Sequence, residues 1–435
     1  MQHRSRFVLA MSSLLALVFV AGLSVAFVQV RASSAPAMFP AGTLLFSKPT
    51  GFFLESKKVS STGQPVYYGA TDPGANWAIA QWANPGGDLP NFSLQAVLGS
   101  TTAYQSQSGA AAARVVKSGA EATLFDLSQD GGSLPCDVPG TVNNPQEFDM
   151  FGGETDQAKI PGVSAGNGAP LSQLSALQLG TAARITNLWN DTPQGKCKVN
   201  QRGADIALVL NNYGDATHPS QTLFYQIGLY STRCTSGNTN AVCNAQNATS
   251  TVSYFWANGS GSQASKDSTG KITHQNFGYN DDVAVFGVSD IRPSQFKAFS
   301  VDVLPHLKDI LAKNINGLDP DPTHWYVNAM YQGTMIWGGV GISTRWVPLV
   351  VSNGPVPILG IASESPTVAA GGKTTLYWAT AAVTSCAVSG PGVQSTALNG
   401  SQTVGPFTTP TTYTLTCQSP AGPQTRTATI GITGA

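Results

Sequence analysis

Short runs of alternating apolar and polar residues, separated by clusters of glycine, asparagine and proline, recur along most of the chain and constrain its fold most strongly. The longest run lies within residues 319–346. Successive side chains of a β-strand point to opposite faces, so this run predicts a strand with two different faces. One face is predicted to carry Trp325, Val327, Ala329, Tyr331, Met335 and Trp337, and the other His324, Tyr326, Asn328, Met330, Gln332 and Thr334.

The composition favours an all-β extracellular protein. Only 11% of the 435 residues are charged, and 46 are glycine, so the surface is polar rather than ionic and turns are frequent. The formal net charge is zero, which gives no electrostatic argument for a nucleic acid or an anionic membrane as partner. We therefore expect no nucleic-acid partner.

The N-terminus predicts export. Arg4 and Arg6 precede an apolar run at residues 7–28, and small residues follow as far as Ala35. This order is typical of a secretory signal peptide, here assigned to residues 1–32. The apolar run is also long enough to span a bilayer, so an uncleaved membrane anchor is the alternative and would be the chain's one membrane contact. Either outcome predicts a secreted or cell-envelope protein.

Six cysteines agree with an oxidising compartment. None has the spacing of a zinc site. Cys386 and Cys417 lie on two predicted strands near the C-terminus, and a bridge between them would stabilise by about 3–4 kcal/mol in the chain-entropy model. The other four allow three connectivities, of which the simplest is Cys234–Cys243 with Cys136–Cys197.

Two domains are predicted. Residues 42–351 form a large β-sandwich, residues 352–358 a short stiff linker, and residues 359–435 a small β-sandwich of short alternating strands. Within the large domain the pattern predicts a strand at 283–288 and one helix at 305–313, on which His306 is expected to face solvent.

The small domain resembles the bacterial immunoglobulin-like modules of secreted enzymes and surface proteins. The resemblance rests on Leu376-Tyr377-Trp378, on Ser385-Cys386, and on the segments 400–404 and 412–417. It implies a bacterial source and a spacer or accessory adhesion module, and it transfers no catalytic residue.

The large domain resembles jelly-roll or concanavalin-like glycoside hydrolases at two segments. Glu147-Phe148-Asp149-Met150-Phe151 is similar to the ExDxxE strand of the laminarinase type, although Gly152 stands where the acid/base glutamate belongs and Glu154 would have to replace it. Residues 334–337 are similar to the MIW strand of small cellulases, with Gln332 and Thr334 where a carboxylate is wanted.

Recognition of a polysaccharide or glycan is the leading functional hypothesis. Sugars need aromatic surfaces for their C–H faces and neutral amides or hydroxyls for their hydroxyl groups. The predicted binding residues are Tyr326, Asn328, Gln332, Phe224, Gln226, Tyr230 and Trp337. The alternative role of these side chains is to fill the interior of the sandwich.

Two other functional classes stay open. One is a glycoside hydrolase or polysaccharide lyase that uses Glu147 and Asp149, since retaining glycosidases need two carboxyl groups about 5–5.5 Å apart. The other is a structural or adhesive envelope protein without a small ligand. We expect no cofactor apart from a structural calcium ion, for which Asp319, Asp321 and the pair Asp281-Asp282 are candidate ligands and turn formation the alternative role.

Overall fold

A computed structural model describes most of the chain from residue 39 to residue 433. The described ranges are 39–59, 65–68, 76–82, 84–85, 87, 89–98, 101–132, 134, 147–153, 168–190, 201–214, 219–231, 254–257, 265–293 and 295–433. The predicted signal peptide, Glu154, and the pairs Cys136–Cys197 and Cys234–Cys243 lie outside these ranges, as does the side chain of Glu147.

Nearly all regular structure in the described ranges is β-strand. The strands are β1 (Thr43–Leu44), β2 (Phe52–Val59), β3 (Pro65–Tyr68), β4 (Trp77–Trp82), β5 (Ser93–Leu98), β6 (Thr101–Ser108), β7 (Ala111–Ser118), β8 (Glu121–Asp130), β9 (Glu147–Gly153), β10 (Ala169–Pro170), β11 (Gln178–Asn190), β12 (Gln201–Asn212), β13 (Ser220–Ser231), β14 (Tyr254–Ala257), β15 (Ser265–Lys266), β16 (Ile272–Asp282), β17 (Phe296–Asp302), β18 (Trp325–Trp337), β19 (Val340–Trp346), β20 (Val350–Asn353), β21 (Ile358–Ser363), β22 (Thr367–Ala369), β23 (Thr374–Ala381), β24 (Ser385–Gly390), β25 (Val393–Ser395), β26 (Gly400–Val404), β27 (Thr411–Ser419) and β28 (Gly422–Thr433). Within the same ranges there is one α-helix, α1 (Leu304–Ala312).

Two large sheets form the first sandwich. The nine-stranded sheet has the order β1-β20-β11-β19-β8-β7-β6-β5, with β17 also paired to β11. The eleven-stranded sheet has the order β14-β16-β13-β12-β18-β9-β4-β2-β3, with β10 on β18 and β15 on β16. Most pairs are antiparallel, while β13–β16 and β2–β4 are parallel.

The second sandwich is small. Its three-stranded sheet has the order β21-β23-β26, and its five-stranded sheet has the order β22-β28-β27-β24-β25. The predicted disulfide Cys386–Cys417 is present and joins directly opposed residues of β24 and β27. The prediction of an all-β chain with a large sandwich followed by a small one is confirmed. The division into separate domains at the predicted boundaries stays a prediction.

The core of the large sandwich lies between its two sheets. Apolar side chains from alternate positions of the strands meet there, as the period of two requires. On β13, for example, Leu223, Tyr225, Ile227 and Leu229 all belong to this core. Within the described residues, no helix is both long and apolar enough to cross a membrane.

A β-bulge at Asn328 corrects the predicted faces of β18. The register of β18 against β12 shifts between Val327 and Ala329, so that Asn328 is an extra residue. An extra residue reverses the orientation of everything beyond it. Trp325, Val327, Met330 and Ile336 therefore point into the core, whereas Ala329, Tyr331, Met335 and Trp337 form a separate cluster on the opposite face.

Gln332 and Thr334 also point between the two sheets, and both are fully buried. Gln332 donates to the Thr181 hydroxyl at 3.2 Å and to the Val347 carbonyl at 3.0 Å, and its side-chain oxygen accepts from the Leu349 N–H. The Thr334 hydroxyl donates to Gln129. These bonds tie the eleven-stranded sheet to the nine-stranded sheet through satisfied polar groups.

The helix is close to its predicted position and closes one side of the core. Leu307, Ile310 and Leu311 are buried, as the apolar stripe predicts. His306 was expected to face solvent, but its Nε2 lies 2.8 Å from Asp281, whose side chain is fully buried. Asp281 also accepts from the Tyr225 hydroxyl at 2.8 Å.

The strand predicted at residues 283–288 is wrong. Val283–Phe286 is a 3-10 helix, and Asp282 caps it by accepting from the Ala284 N–H at 2.8 Å. An acidic side chain that bonds the backbone two residues ahead favours a turn over an extended strand, despite the β-branched residues that follow.

The two sandwiches meet in an apolar contact in which glycines receive large side chains. A Cβ atom on Gly180 of β11 would lie 2.5 Å from Ile358, and one on Gly360 of β21 would lie 2.6 Å from the Phe296 ring. Each sandwich thus inserts a side chain into a notch in the other. The four buried residues of this contact are Ala182, Phe296, Ile358 and Ala379.

Two buried arginines of the large sandwich extend this contact. The Arg184 guanidinium pairs with Glu364, lies 4.0 Å from the centre of the Tyr377 ring and donates to the Tyr377 hydroxyl at 3.1 Å. Arg345 is bonded to Asp126 at 2.7 and 3.0 Å and donates to the Ser363 carbonyl. The small sandwich is therefore fixed against the nine-stranded sheet by charge-assisted bonds as well as apolar burial.

Replacing Gln332 with alanine is expected to lower the free energy of unfolding by about 2–4 kcal/mol, because the change removes the side-chain acceptor of the buried Leu349 N–H and opens a cavity. The Val347 carbonyl loses its bond from Gln332 but keeps the one from the Thr181 hydroxyl at 2.6 Å. Urea unfolding followed by tryptophan fluorescence measures the difference. The matched control is Tyr326→Ala at a half-exposed position of the same strand. Equal stability of the Gln332→Ala protein and the wild type would contradict the core assignment.

Acid is expected to destabilise the protein through Asp126. Burial alone would raise the pKa of this carboxyl, but the charges and hydrogen bonds of Arg345 and Arg114 outweigh burial and lower it. A carboxyl with a lowered folded-state pKa stabilises the fold above its unfolded pKa of about 4 and loses that contribution as the pH falls through the folded pKa.

Arg345→Met tests this assignment. The variant is expected to lose about 3–5 kcal/mol near neutral pH and to show a weaker dependence of stability on pH below about pH 5 than the wild type. Urea unfolding of both proteins across the acid range gives the comparison. An identical pH dependence in the two proteins would show that this ion pair is not responsible.

Candidate functional site

The face of the eleven-stranded sheet that points away from the core carries the candidate site. We call it the outer face. Its middle is apolar and buried, with Phe151, Tyr331, Met335 and Trp337 in one cluster and Phe224 packed against them. The Tyr331 ring lies 5.6 Å from that of Phe224 and 5.9 Å from that of Phe151.

At one end of the outer face the apolar cluster gives way to tyrosine, amide and hydroxyl groups, most of them half-exposed and Asn276 buried. The register places Tyr326 of β18 beside Asn211 of β12, Asn211 beside Thr222 of β13, and Thr222 beside Asn276 of β16. Neighbouring strands are about 4.8 Å apart, so these four residues form a row roughly 14 Å long. We call this row, together with Tyr213, Asn328, Ser220 and His274, the tyrosine–amide patch.

Two tyrosines form one end of the patch. The Tyr213 ring lies 5.5 Å from the Tyr326 ring at an angle of 57°, and the Tyr213 hydroxyl lies 3.4 Å from Asn328 Oδ1. Tyr213 is 40% exposed, which is unusual for so large a side chain in the described part of this protein. Asn328 reaches this position because it is the extra residue of the bulge.

The rest of the patch is held by neutral hydrogen bonds. The Thr222 hydroxyl donates to Asn211 Oδ1 at 3.1 Å and lies 3.3 Å from His274 Nε2. His274 Nε2 is 3.1 Å from Asn276 Oδ1, and His274 Nδ1 is 2.7 Å from the Ser220 hydroxyl. Since the Asn276 oxygen only accepts, the His274 Nε2–H donates to it. The Ser220 hydroxyl lies within hydrogen-bond distance of both His274 Nδ1 and the Thr273 carbonyl, the latter at 3.1 Å.

Tyr213 and His274 of the patch are uncharged near neutral pH. Burial raises the pKa of Tyr213 to about 12, with a smaller contribution from Tyr326. Burial lowers the pKa of His274, which favours the neutral imidazole. The patch therefore offers rings, amides and hydroxyls without a fixed charge.

An acidic loop borders the patch at the end of β12 and the start of β18. Asp319 accepts from Asn212 Nδ2 at 2.8 Å and from His324 Nδ1 at 2.7 Å, and Asn212 stands between the patch residues Asn211 and Tyr213. Asp321 Oδ2 lies 3.7 Å from His324 Nε2. One imidazole is thus shared by two carboxylates.

Both carboxyls of the loop are ionised near neutral pH. Burial would raise the pKa of Asp319, but hydrogen bonds from the Asp321 N–H, His324 and Asn212 lower it. The bonds that Asp321 accepts from Thr323 lower its pKa. Asp319 and Asp321 were candidate calcium ligands, and in the described residues no group of three or more His, Cys, Asp or Glu side chains could hold a metal ion.

The structure distributes the predicted binding residues over three places. Tyr326 and Asn328 lie in the patch. Phe224 is half-buried beside it, whereas Gln226 and Trp337 are 5% and 6% exposed within the outer face. Gln332 lies in the core behind the bulge, and Tyr230 packs against the edge of the same core, so these two do not share the outer face with the others.

Sequence reasoning missed Tyr213, Asn211 and Thr222. Asparagine and glycine around Tyr213 are residue types typical of turns. A usable signal was present, because Val209, Asn211 and Tyr213 share the period-two alternation of β12.

Of the predicted catalytic residues, Asp149 has a described side chain, and its pairing with Glu147 or Glu154 stays a prediction. Asp149 faces outward from β9 and is 1% exposed. Asp205 of β12, which sequence reasoning missed, lies on the same face and is 6% exposed. Their partners on β18 are Met335 and Gly333, which places the two Cα atoms roughly 12 Å apart.

The Asp205 carboxylate leans away from Asp149. Cβ atoms built on Gly203 and Gly228 would lie 2.8 and 3.4 Å from its oxygens, and Gly228 belongs to β13, on the far side from β9. This arrangement differs from the separation of about 5–5.5 Å that retaining chemistry needs.

A cavity between the two sandwiches is too small to be a ligand site. Its volume is about 60 Å³, and Phe46, Leu349, Ile358 and Leu359 are among its lining residues. Sites for small molecules usually measure about 300–1,000 Å³.

Comparisons with known proteins identify no family. The sequence matches no protein-family model and no curated protein. Among solved structures, similarity extends to the family 11 xylanase from Neocallimastix patriciarum, with a TM-score of 0.32, 12% identity, and coverage of 64% of this chain and 96% of that chain. Endoglucanase cel12A from Rhodothermus marinus has a TM-score of 0.30, 14% identity, and coverage of 60% and 96%. A family 12 xyloglucanase from Bacillus licheniformis has a TM-score of 0.28, 14% identity, and coverage of 65% and 97%. Similarities of this size carry no argument about function.

The Tyr213 hydroxyl is expected to ionise about two pH units above an ordinary tyrosine, because burial disfavours the phenolate. Difference absorbance between the wild type and Tyr213→Phe during an alkaline titration isolates this hydroxyl. Unfolding is followed in parallel by circular dichroism, so that only the folded range is used. Ionisation near the ordinary value of about 10 would show that Tyr213 is not packed against Tyr326.

Proposed function

We propose that this protein binds an extracellular polysaccharide or glycan through the tyrosine–amide patch. The observation that carries the proposal is the uncharged row of Tyr326, Asn211, Thr222 and Asn276 beside the exposed Tyr213 ring. Aromatic rings pack against the C–H faces of sugars, while amides and hydroxyls exchange hydrogen bonds with sugar hydroxyls.

The geometry of the patch fits a chain of sugars better than a small molecule. The row crosses four strands over roughly 14 Å. Tyr326, Asn211 and Thr222 are half-buried, and Asn276 at the far end is buried. The strands are held in one sheet and the side chains are bonded to each other, so little conformational entropy is lost when a ligand binds. The predicted export of the protein places the patch outside the cytoplasm, where such polymers occur.

A glycoside hydrolase or polysaccharide lyase is the second candidate function. Two aspartates on the outer face favour it, since paired carboxyls carry this chemistry. Their burial and their roughly 12 Å Cα separation argue against it, because a substrate must reach both groups. We therefore favour binding without catalysis.

Tyr326→Ala and Tyr213→Ala are each expected to weaken glycan binding about tenfold, since each removes a ring on which a sugar can stack. The wild type and the variants are compared on a glycan array and then by titration calorimetry with the best ligand. Tyr326→Phe keeps the ring and should bind nearly as tightly as the wild type. Leu94→Ala, at an exposed position of the other large sheet, controls for surface changes in general.

Binding that both alanine variants leave unchanged would place the glycan elsewhere on the protein. Absence of binding across the array would favour the third class, a structural or adhesive envelope protein.

The enzyme hypothesis is tested by the release of reducing sugar from a panel of plant, algal and bacterial polysaccharides. We expect no release from the wild type, because Asp149 and Asp205 are buried and far apart. Release that Asp149→Asn or Asp205→Asn abolishes, with folding unchanged by circular dichroism, would overturn this expectation and establish catalysis on the outer face.

A further inference from the structure

We propose that the acidic loop formed by Asp319, Asp321 and His324 makes the tyrosine–amide patch selective for uncharged glycans and excludes acidic ones. The inference rests on the proposed function and adds the class of ligand. It assigns a specificity-determining role to residues that do not themselves belong to the patch.

The loop is close to the patch because the two share backbone. Asn212, which Asp319 binds, follows the patch residue Asn211 in β12, but its side chain points to the core face, so Asp319 reaches the end of the patch from the other side of the sheet. His324, which lies between the two carboxylates, is two residues before Tyr326. The Trp325 ring nitrogen also donates to the Asp319 carbonyl at 3.0 Å and holds the loop against the start of β18.

The loop is negative whatever the state of its histidine. Asp319 and Asp321 both have lowered pKa values, whereas one imidazole can supply at most one positive charge. In the described part of the chain, His324 is the ion-pair partner of both carboxylates, and no lysine or arginine pairs with either. A net negative charge therefore remains at the end of the patch.

The charge of the loop discriminates between ligands. The loop is joined to the patch end through Asn212 and His324, so a carboxylate or sulfate on a sugar at the Tyr213–Tyr326 end would be repelled, with partial screening at the Debye length of about 8 Å in physiological salt. The patch offers no compensating cation, since its tyrosine and histidine are neutral. A neutral glycan carries no charge for the loop to repel, so the loop weakens the binding of acidic glycans alone.

Asp321→Asn removes one charge and keeps the local structure. Asp321 accepts from the Thr323 N–H at 2.8 Å as a helix cap, and asparagine caps equally well. Asp319 is a poorer choice because it also holds Asn212 and His324. Asp309→Asn, at an exposed position of α1, changes net charge by the same amount away from the patch and serves as the control.

The test measures the dissociation constants of full-length wild type, Asp321→Asn and Asp309→Asn for matched neutral and acidic polymers. The probes are hydroxyethyl cellulose and carboxymethyl cellulose, together with the best neutral glycan from the array and its C6-oxidised form. The wild type is expected to bind each acidic form at least about tenfold more weakly than its neutral match. Asp321→Asn is expected to reduce the ratio of the acidic to the neutral dissociation constant about threefold, without changing the dissociation constant for the neutral form. Asp309→Asn is expected to leave this ratio unchanged.

A salt titration gives a second measurement that does not depend on any variant. Binding of the acidic forms is expected to strengthen as salt screens the repulsion, while binding of the neutral forms stays constant. Equal wild-type affinity for neutral and acidic forms, with no effect of Asp321→Asn, would overturn the selectivity and leave the proposed function intact. Failure of the wild type to bind any glycan would overturn both.

Discussion

The extra residue at Asn328 determines how the large sandwich is built around β18. This strand lies at the centre of the eleven-stranded sheet, so a change in its alternation affects both faces of that sheet. Before the bulge Trp325 and Val327 point into the core, and after it Met330 and Ile336 do so. The core is therefore faced by odd-numbered residues of β18 before the bulge and by even-numbered residues after it.

Both the polar core network and the candidate site depend on this change. Beyond the bulge, Gln332 and Thr334 point toward the nine-stranded sheet and bond it. At the bulge itself, Asn328 comes within reach of Tyr213 and completes the two-tyrosine end of the patch. One local irregularity thus separates residues that stabilise the fold from residues available to a ligand.

The small sandwich is fixed to the opposite side of the molecule from the patch. It packs on the nine-stranded sheet because Ile358 fits against Gly180 and Phe296 fits against Gly360. Arg184 and Arg345 add polar bonds to the same contact. A small sandwich attached to the nine-stranded sheet leaves the outer face of the eleven-stranded sheet uncovered by it. This arrangement suits a protein whose ligand is a polymer outside the cell, as we propose.

The sequence by itself determined the all-β class, the large and small sandwiches, the helix and the Cys386–Cys417 bridge, because period-two alternation, turn residues and cysteine placement are local signals. It also located Tyr326 and Asn328. Only the tertiary structure decided that Gln332 belongs to the core, that Tyr213, Asn211 and Thr222 join the patch, and that Asp149 and Asp205 stand on strands either side of β18. A bulge and a strand register are set by pairing between distant segments, and no local pattern records which residues become neighbours.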